Sequence, residues 1–201
     1  MTIPNLLTTF RLLLTPVIIY FFLKHTPLSQ AIATAIFFVA AFTDWYDGFY
    51  ARRHNLISRL GQFLDPLADK ILVSGILIAF YLNNYIFGWI VFTIIARDFA
   101  ITFLRSYAFI RGRPIVTSTL AKWKTFSQML AIFILLIYLN MFFMGFTKDP
   151  SYYASYSDIP GILFLIAAVL TVLSALQYFY ENRDIFVLIF RDLLKLVDLR
   201  R

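Results

Sequence analysis

Six apolar segments, each about as long as a bilayer-spanning helix, follow one another along this 201-residue chain. A helix needs about 20 largely apolar residues to cross the hydrocarbon core of a membrane. The segments run roughly over Leu6–Leu23, Ser29–Arg52, Ser58–Asn83, Tyr85–Ile110, Ser118–Phe146 and Ile159–Tyr180. The sequence therefore predicts an all-α integral membrane protein with six transmembrane helices.

The composition agrees with lipid as the main solvent. Hydrophobic residues make up 61% of the chain and charged residues 14%, whereas soluble domains average about 45–50% and about 25%. We expect one membrane domain over residues 1–201, with a six-span core at 1–183 and a tail at 184–201. Apolar clusters alternate with charges in that tail, which predicts a C-terminal amphipathic helix at the interface. The N-terminal MTIPNLLTTFR lacks a basic start and a small-residue cleavage site, so we expect a retained first span.

The distribution of cations predicts the orientation. Of 18 Lys and Arg residues, Lys24 and Lys148 lie in the polar connections on one predicted side of the membrane. The loop cations on the other side of the membrane are far more numerous. The positive-inside rule then places both termini in the cytosol of a multi-pass cell-membrane protein. The net charge of +7 follows from that rule and from contact with anionic membrane lipids. Nucleic acid is excluded as a partner, because no soluble basic face is predicted.

Four aspartates lie near the predicted cytosolic ends of the second and third segments, in FTDWYDGFYARRHNLISRLGQFLDPLADK. At about 1.5 Å of rise per residue, Asp44 and Asp47 lie ~12 and ~7 Å inside the end of the second segment. Asp65 and Asp69 lie ~10 and ~16 Å inside the start of the third segment. Spacings of three and four residues place each pair on one helix face. Because a short connection joins the two helices, we expect antiparallel packing that brings the four acids to a common depth.

Carboxylates at this depth need compensation. Each costs about 2.5–3.5 kcal/mol at mid-helix on insertion scales, and four together repel one another. Either several are protonated or cations lie among them. Carboxylate oxygens without His or Cys favour a hard divalent ion such as Mg²⁺ or Mn²⁺. The alternative is a set of structural ion pairs with nearby cations, which explains neither the shared depth nor the small residues beside the acids.

The pattern Asp44-x2-Asp47-Gly48-x2-Ala51-Arg52-x8-Gly61-x3-Asp65-x3-Asp69 resembles the signature of the CDP-alcohol phosphatidyltransferases, and every fixed position matches. The resemblance implies transfer of a phosphatidyl group from CDP-diacylglycerol to an alcohol, with release of CMP. It also implies a homodimer with its active site at the cytosolic face.

The resemblance assigns roles position by position. Two metal ions, Mg²⁺ or Mn²⁺, would be held by Asp44, Asp47, Asp65 and Asp69. Asp69 would also act as the general base. The CDP-diacylglycerol site would include Gly48, Ala51, Arg52, Ser58 and Gly61. Asn5 and Thr8 share a face of the first helix, where they either reach the nucleotide or anchor the helix at the interface.

Segments outside the signature resemble the phosphatidylglycerophosphate synthases of this family: IPNLLTTFRLLLTP, the ARD of residues 96–98, and STLAKWKTFSQM. This resemblance implies glycerol 3-phosphate as the acceptor, and its dianionic phosphate needs cationic donors. The candidate donors are Arg105, Arg111, Lys122 and Lys124. The positive-inside rule alone would also place loop cations there, whereas an arginine inside the helix, such as Arg105, is costly without a partner.

Two alternatives stay open at this point. A transferase of the same fold could use another acceptor, either phosphatidylglycerol to make cardiolipin or an inositol phosphate. A cation-coupled transporter also places acids in the membrane. A transporter, however, predicts acids spread through the bilayer and an inverted repeat with broken helices, and this sequence has neither.

Overall fold

The computed structural model describes the backbone of residues 3–54, 59–112, 118–147 and 158–184, and the side chains of 9–43, 68, 70–112, 118–147 and 158–184. This part of the chain contains six α-helices: α1 Ile3–Phe22, α2 Pro27–His54, α3 Arg59–Leu82, α4 Gly88–Ile110, α5 Thr119–Phe143 and α6 Ile159–Glu181. Each coincides with one predicted segment to within a few residues. The predicted amphipathic tail lies outside the described residues, apart from Asp184 at its start.

The turn between α1 and α2 has a local explanation. Thr26 and Ser29 cap the start of α2 reciprocally, since each backbone N–H donates to the hydroxyl of the other residue. Pro27 follows at the first helical position, where its missing N–H leaves no hydrogen bond unmade. The fully buried Gln30 donates from Nε2 to the carbonyl oxygen of Phe22 at 2.7 Å, which ties the end of α1 to the start of α2.

The end of α5 is set by glycine. Gly145 has φ +83°, and its N–H donates to the Phe142 carbonyl while the Phe146 N–H donates to the Met141 carbonyl. This pair of bonds is a Schellman motif, which favours glycine at the left-handed position. The helix therefore ends at Phe143, three residues before the predicted end of the fifth segment.

The helices form a closed ring. In the described part of the chain, α1 packs against α2 and α3, α5 packs against α2 and α6, and α4 packs against α3 and α6. Every helix therefore has two main neighbours, and the buried core lies among the six. Three aromatic pairs join the turns at one end: Phe22–Phe80, Phe80–Phe164 and His25–Phe143, with ring centroids 5.3, 6.4 and 6.2 Å apart. The helices accordingly alternate in direction from one to the next along the chain.

This ring places α1 against both helices that carry the four aspartates. The main described contacts of α2 are with α1 and α5, and those of α3 are with α1 and α4. Direct antiparallel packing of α2 on α3 near the acids stays a prediction, since the side chains at those helix ends lie outside the described set.

Polarity is distributed as in a membrane protein. Large apolar side chains face outward on every helix, including Phe92 on α4, which is 74% exposed. Ten polar or charged side chains are buried among the described residues, among them Asp98, Lys124 and Gln128. Within the described residues, α5 and α6 are long and apolar enough to cross a membrane, whereas three charged residues interrupt α4.

Close approach of α1 and α3 depends on Gly75. A Cβ at this position would lie 3.1 Å from Ile19 Cδ1 and 3.2 Å from Thr15 Cγ2. We predict that Gly75→Leu destabilises the protein by about 1–3 kcal/mol, because overpacking forces the two helices apart. The measurement is the thermal unfolding midpoint in detergent. The control is Ile78→Leu, at a 44% exposed position on α3. Equal midpoints for both variants would contradict tight α1–α3 packing.

Candidate functional site

The backbone brings the predicted site residues to one end of the ring. Asp44 and Asp47 lie in the C-terminal half of α2, and Asp65 and Asp69 lie in the N-terminal half of α3. Because the helices alternate in direction, these two halves belong to the same end of the ring. The side chains of all four acids lie outside the described set, so their arrangement stays a prediction.

The residues predicted for the CDP-diacylglycerol site share that end. Gly48, Ala51 and Arg52 follow the acids in α2, and Gly61 precedes them in α3. The first turns of α1 carry Asn5 and Thr8. Ser58 lies outside the described residues. The backbone therefore agrees with a common location, while the side-chain contacts of this group stay untested.

A cluster of charges occupies the interior of the helix ring beside this end. The carboxylate of Asp98 on α4 accepts hydrogen bonds from Lys124 Nζ of α5 at 2.6 Å, from Lys70 Nζ of α3 at 3.2 Å and from Arg97 at 3.3 Å. Lys124 and Lys70 bind opposite oxygens of the carboxylate, Oδ1 and Oδ2 respectively. One acid thus joins cations from three helices.

The cluster is deeply buried. The Lys124 side chain is completely buried and that of Asp98 is 4% exposed, while Arg97 and Lys70 are 10% and 22% exposed. Three cations on one carboxylate leave an excess of positive charge among the described side chains. Desolvated charge of one sign is expensive in a membrane, so this interior favours an additional anion.

Buried hydrogen-bond donors without partners lie close to the cluster. Arg97 donates from Nη2 to the Ser174 hydroxyl of α6 at 2.5 Å, but its Nε has no partner among the described residues. Arg105 of α4 and Tyr178 of α6 also interact electrostatically. Within the described chain, Arg105 Nε is also buried without a hydrogen-bond partner. Orphaned donors of this kind indicate room for an acceptor that the protein does not supply.

The predicted acceptor-phosphate residues differ in their surroundings. Arg105 is half-buried inside α4, one turn and a half from the helix end. Arg111 and Lys122 are exposed, and the Arg111 guanidinium lies 5.6 Å from the centre of the Tyr107 ring. Lys124, in contrast, is fully buried and ion-paired with Asp98. The structure brings Lys124 into the interior cluster and leaves Arg111 and Lys122 exposed. Phosphate binding by any of the four stays a prediction.

Sequence reasoning did not identify Lys70 and Asp98 as a pair. In the sequence, Lys70 is one of several cations near the four acids, and Asp98 is the last residue of the ARD at residues 96–98. The available signal was the cost of an unpaired charge in a membrane helix, which requires every such residue to find a partner. The sequence could not reveal which of several cations each acid meets.

The donor chemistry of the four aspartates fits divalent metal ions. Carboxylate oxygens are the ligands that Mg²⁺ and Mn²⁺ prefer. Among the described side chains, no group of three His, Cys, Asp or Glu residues is positioned to bind a metal. The four aspartates stay the predicted metal ligands.

The charge cluster and Asp69 lie at similar depth. Asp69 and Lys70 are consecutive in α3, and the Lys70–Asp98 ion pair joins this point of α3 to α4. With about 1.5 Å of rise per residue, Asp69 and Asp98 lie ~15 and ~18 Å from the ends of their helices on that side. The interior cations therefore border the backbone position of Asp69.

Comparison with known proteins identifies the family. The CDP-alcohol phosphatidyltransferase family model matches residues 1–173. Among curated proteins, the chain is 40% identical over 186 residues to the CDP-diacylglycerol–glycerol-3-phosphate 3-phosphatidyltransferase of Escherichia coli strain K12, covering 90% of this chain and 94% of the relative.

A second relative with the same name, from Rickettsia bellii, is 35% identical over 185 residues and covers 92% of this chain and 97% of the relative. A third, from Salmonella choleraesuis, is 38% identical over 186 residues, or 90% and 94% of the two chains. The range matched by the family model, residues 1–173, spans the four aspartates and the helices that carry the buried cations. The chain belongs to the CDP-alcohol phosphatidyltransferase family.

Proposed function

We propose that this protein transfers the phosphatidyl group of CDP-diacylglycerol to glycerol 3-phosphate, giving phosphatidylglycerophosphate and CMP. The observation that carries the proposal is similarity over at least nine-tenths of the chain to three transferases named for these two substrates. The reaction is a step of phospholipid biosynthesis. The buried excess of positive charge supports an acceptor that carries a phosphate.

The residues of α2 and α3 would bind the donor. Two divalent ions, Mg²⁺ or Mn²⁺, would be held by Asp44, Asp47, Asp65 and Asp69. Bound there, such ions neutralise charge on the pyrophosphate and on the departing CMP. The small residues beside the acids would leave room for the cytidine diphosphate, with Arg52 as a cationic contact.

The transfer itself needs a base and a positioned acceptor. Asp69 would accept the proton of the attacking hydroxyl of glycerol 3-phosphate. The hydroxyl oxygen forms a bond to the phosphorus of the phosphatidyl group, and the bond from that phosphorus to the pyrophosphate bridging oxygen breaks. CMP leaves with the electron pair of that bond. Asp69 directly precedes Lys70 in α3, so the backbone of Asp69 lies next to the cationic interior.

The phosphate of the acceptor would bind the cations of α4 and α5. Arg105 and Lys124 lie inside the ring, and Arg111 and Lys122 lie towards its outer edge. Charge-assisted hydrogen bonds to phosphate are stronger than neutral ones. The orphaned donor Arg105 Nε supports an anion here. Choline, ethanolamine and serine carry no phosphate and would leave this charge unbalanced.

We further propose that all six helices span the cell membrane, with both termini and the active site at the cytosolic face. The outward apolar side chains support this arrangement, as does the excess of cations at one end of the ring. The diacyl chains of the donor would then stay in the bilayer while its headgroup reaches the site. A homodimer and an interfacial helix at 184–201 remain part of the proposal.

Chelation and aspartate variants test the metal-dependent chemistry. We expect EDTA to abolish CMP release from CDP-diacylglycerol and Mg²⁺ or Mn²⁺ to restore it. Asp65→Asn should weaken metal dependence and activity together. Asp69→Asn should lower turnover at least about 100-fold, the smaller share of general-base catalysis, while the protein still binds CDP-diacylglycerol. Full activity in chelator, or near-normal turnover of Asp69→Asn, would contradict the mechanism.

Arg105→Ala tests the acceptor site. We predict a rise of about tenfold or more in KM for glycerol 3-phosphate, because a hydrogen bond to a charged group is lost. The KM for CDP-diacylglycerol should change little. Lys24→Ala is the matched control, since it removes one cation from the opposite end of the ring. Steady-state kinetics measure both variants. Preference of the parent protein for phosphatidylglycerol or inositol phosphate would refute the acceptor assignment and leave the transferase assignment intact.

Single cysteines test the topology, because the chain has none of its own. Lys24→Cys lies at the turn between α1 and α2, and Arg183→Cys lies beyond α6 at the opposite end. An impermeant maleimide added to intact cells should label Lys24→Cys and should label Arg183→Cys only after permeabilisation. Labelling of both from the outside would rule out the six-span arrangement.

A further inference from the structure

We propose that Asp98 is a positioning residue for the acceptor: its carboxylate holds the ammonium groups of Lys70 and Lys124 where they receive the phosphate of glycerol 3-phosphate. The inference rests on the proposed function and names a residue that the family signature does not contain. Asp98 itself carries the same charge sign as phosphate, so its role is to orient cations and not to bind the acceptor.

The carboxylate of Asp98 restrains two ammonium groups at once. Its two oxygens bind two lysines from different helices, Lys124 at 2.6 Å and Lys70 at 3.2 Å. Lysine has a flexible four-carbon side chain and three donors, so an unpaired ammonium adopts many positions. Binding to a buried, helix-borne carboxylate removes that freedom. The two ammonium groups are thereby fixed on either side of Asp98.

The location of α5 makes this restraint necessary. The main described contacts of α4 are with α3 and α6, and those of α5 are with α2 and α6. Lys124 thus reaches Asp98 between two helices that are not main neighbours in the ring. Within the described chain, Asp98 is the acceptor to which Lys124 Nζ donates. Among the described side chains, two of the three Lys124 N–H groups therefore have no acceptor and could bind a ligand.

The number of cations around Asp98 distinguishes a positioning role from that of a purely structural ion pair. A structural pair needs one cation for one carboxylate, but Asp98 contacts three cations. Arg97 also continues to Ser174 of α6, so the carboxylate connects cations on α3, α4 and α5 to a fourth helix. A dianionic phosphate would compensate the excess positive charge that Asp98 alone does not neutralise. The Lys70 contact places this arrangement next to Asp69, the proposed base.

Positioning and simple electrostatics predict opposite results for one substitution. Removing the negative charge of Asp98 makes the interior more positive, which by charge alone would tighten phosphate binding. If Asp98 positions the lysines, the same substitution frees them and weakens phosphate binding. The sign of the change in KM for glycerol 3-phosphate therefore decides between the two roles.

The experiment compares the parent protein with Asp98→Asn and Asp98→Glu, purified in detergent with CDP-diacylglycerol and Mg²⁺. We expect Asp98→Asn to raise the KM for glycerol 3-phosphate about tenfold to a hundredfold, the range for losing hydrogen bonds to charged groups. The KM for CDP-diacylglycerol should stay within about twofold, because the donor binds other residues. Asp98→Glu keeps the charge but displaces the carboxylate by one methylene, so it should give an intermediate rise.

Asn140→Ala is the control for lost helix–helix contact. Asn140 of α5 donates from Nδ2 to the Thr34 hydroxyl of α2 at 2.7 Å, towards the opposite end of the ring. Its substitution should lower the unfolding midpoint without changing the KM for glycerol 3-phosphate.

Several results would overturn the inference. One is an unchanged or lowered KM for glycerol 3-phosphate in Asp98→Asn. A second is an unchanged KM in Asp98→Glu, and this variant decides the matter if Asp98→Asn does not fold. An equal rise in both substrate KM values would show a structural role instead. Failure of the parent protein to use glycerol 3-phosphate would refute the proposed function itself, which distinguishes the two failures.

Discussion

The interior of this protein depends on one buried carboxylate. Asp98 accepts hydrogen bonds from cations of α3, α4 and α5, and through Arg97 it is connected to Ser174 of α6. Removing a single partner of a buried charge network is costly, because the remaining charge stays desolvated. Four of the six helices are thus held in register at the depth of Asp69. The polar network specifies how the apolar helices pack, since lipid-facing side chains alone provide little discrimination between packing arrangements.

The ring of helices separates two kinds of environment. Outside, large apolar side chains such as Phe92 and Phe103 are exposed for contact with lipid. Inside, the half of the ring near the turns of α1–α2 and α3–α4 is filled by aromatic and aliphatic side chains, including Phe22 and Phe80. The other half contains the charges. A site for a lipid donor and a phosphorylated acceptor requires such a division, because acyl chains and phosphates need opposite surroundings.

The two halves of the proposed reaction would use charges of opposite sign. The acids of α2 and α3 would hold metal ions and, through them, attract the pyrophosphate of the donor. The cations around Asp98 would attract the phosphate of the acceptor directly. Asp69 and Lys70 are consecutive residues of α3, so the two charge environments meet at one point of the chain. That meeting point is where the hydroxyl of the acceptor would need to lose its proton.

The amino-acid sequence by itself determined the six helices, their approximate limits and the family. Long apolar segments leave few alternatives in a membrane, and the eight fixed positions from Asp44 to Asp69 are local in the chain. The ring order of the helices was decided only by tertiary structure, because hydropathy does not record which apolar faces meet. Tertiary structure also decided that Lys124 and Lys70 meet Asp98, 26 and 28 residues away. The sequence shows that buried charges need partners, but only the packed helices select which partners they find.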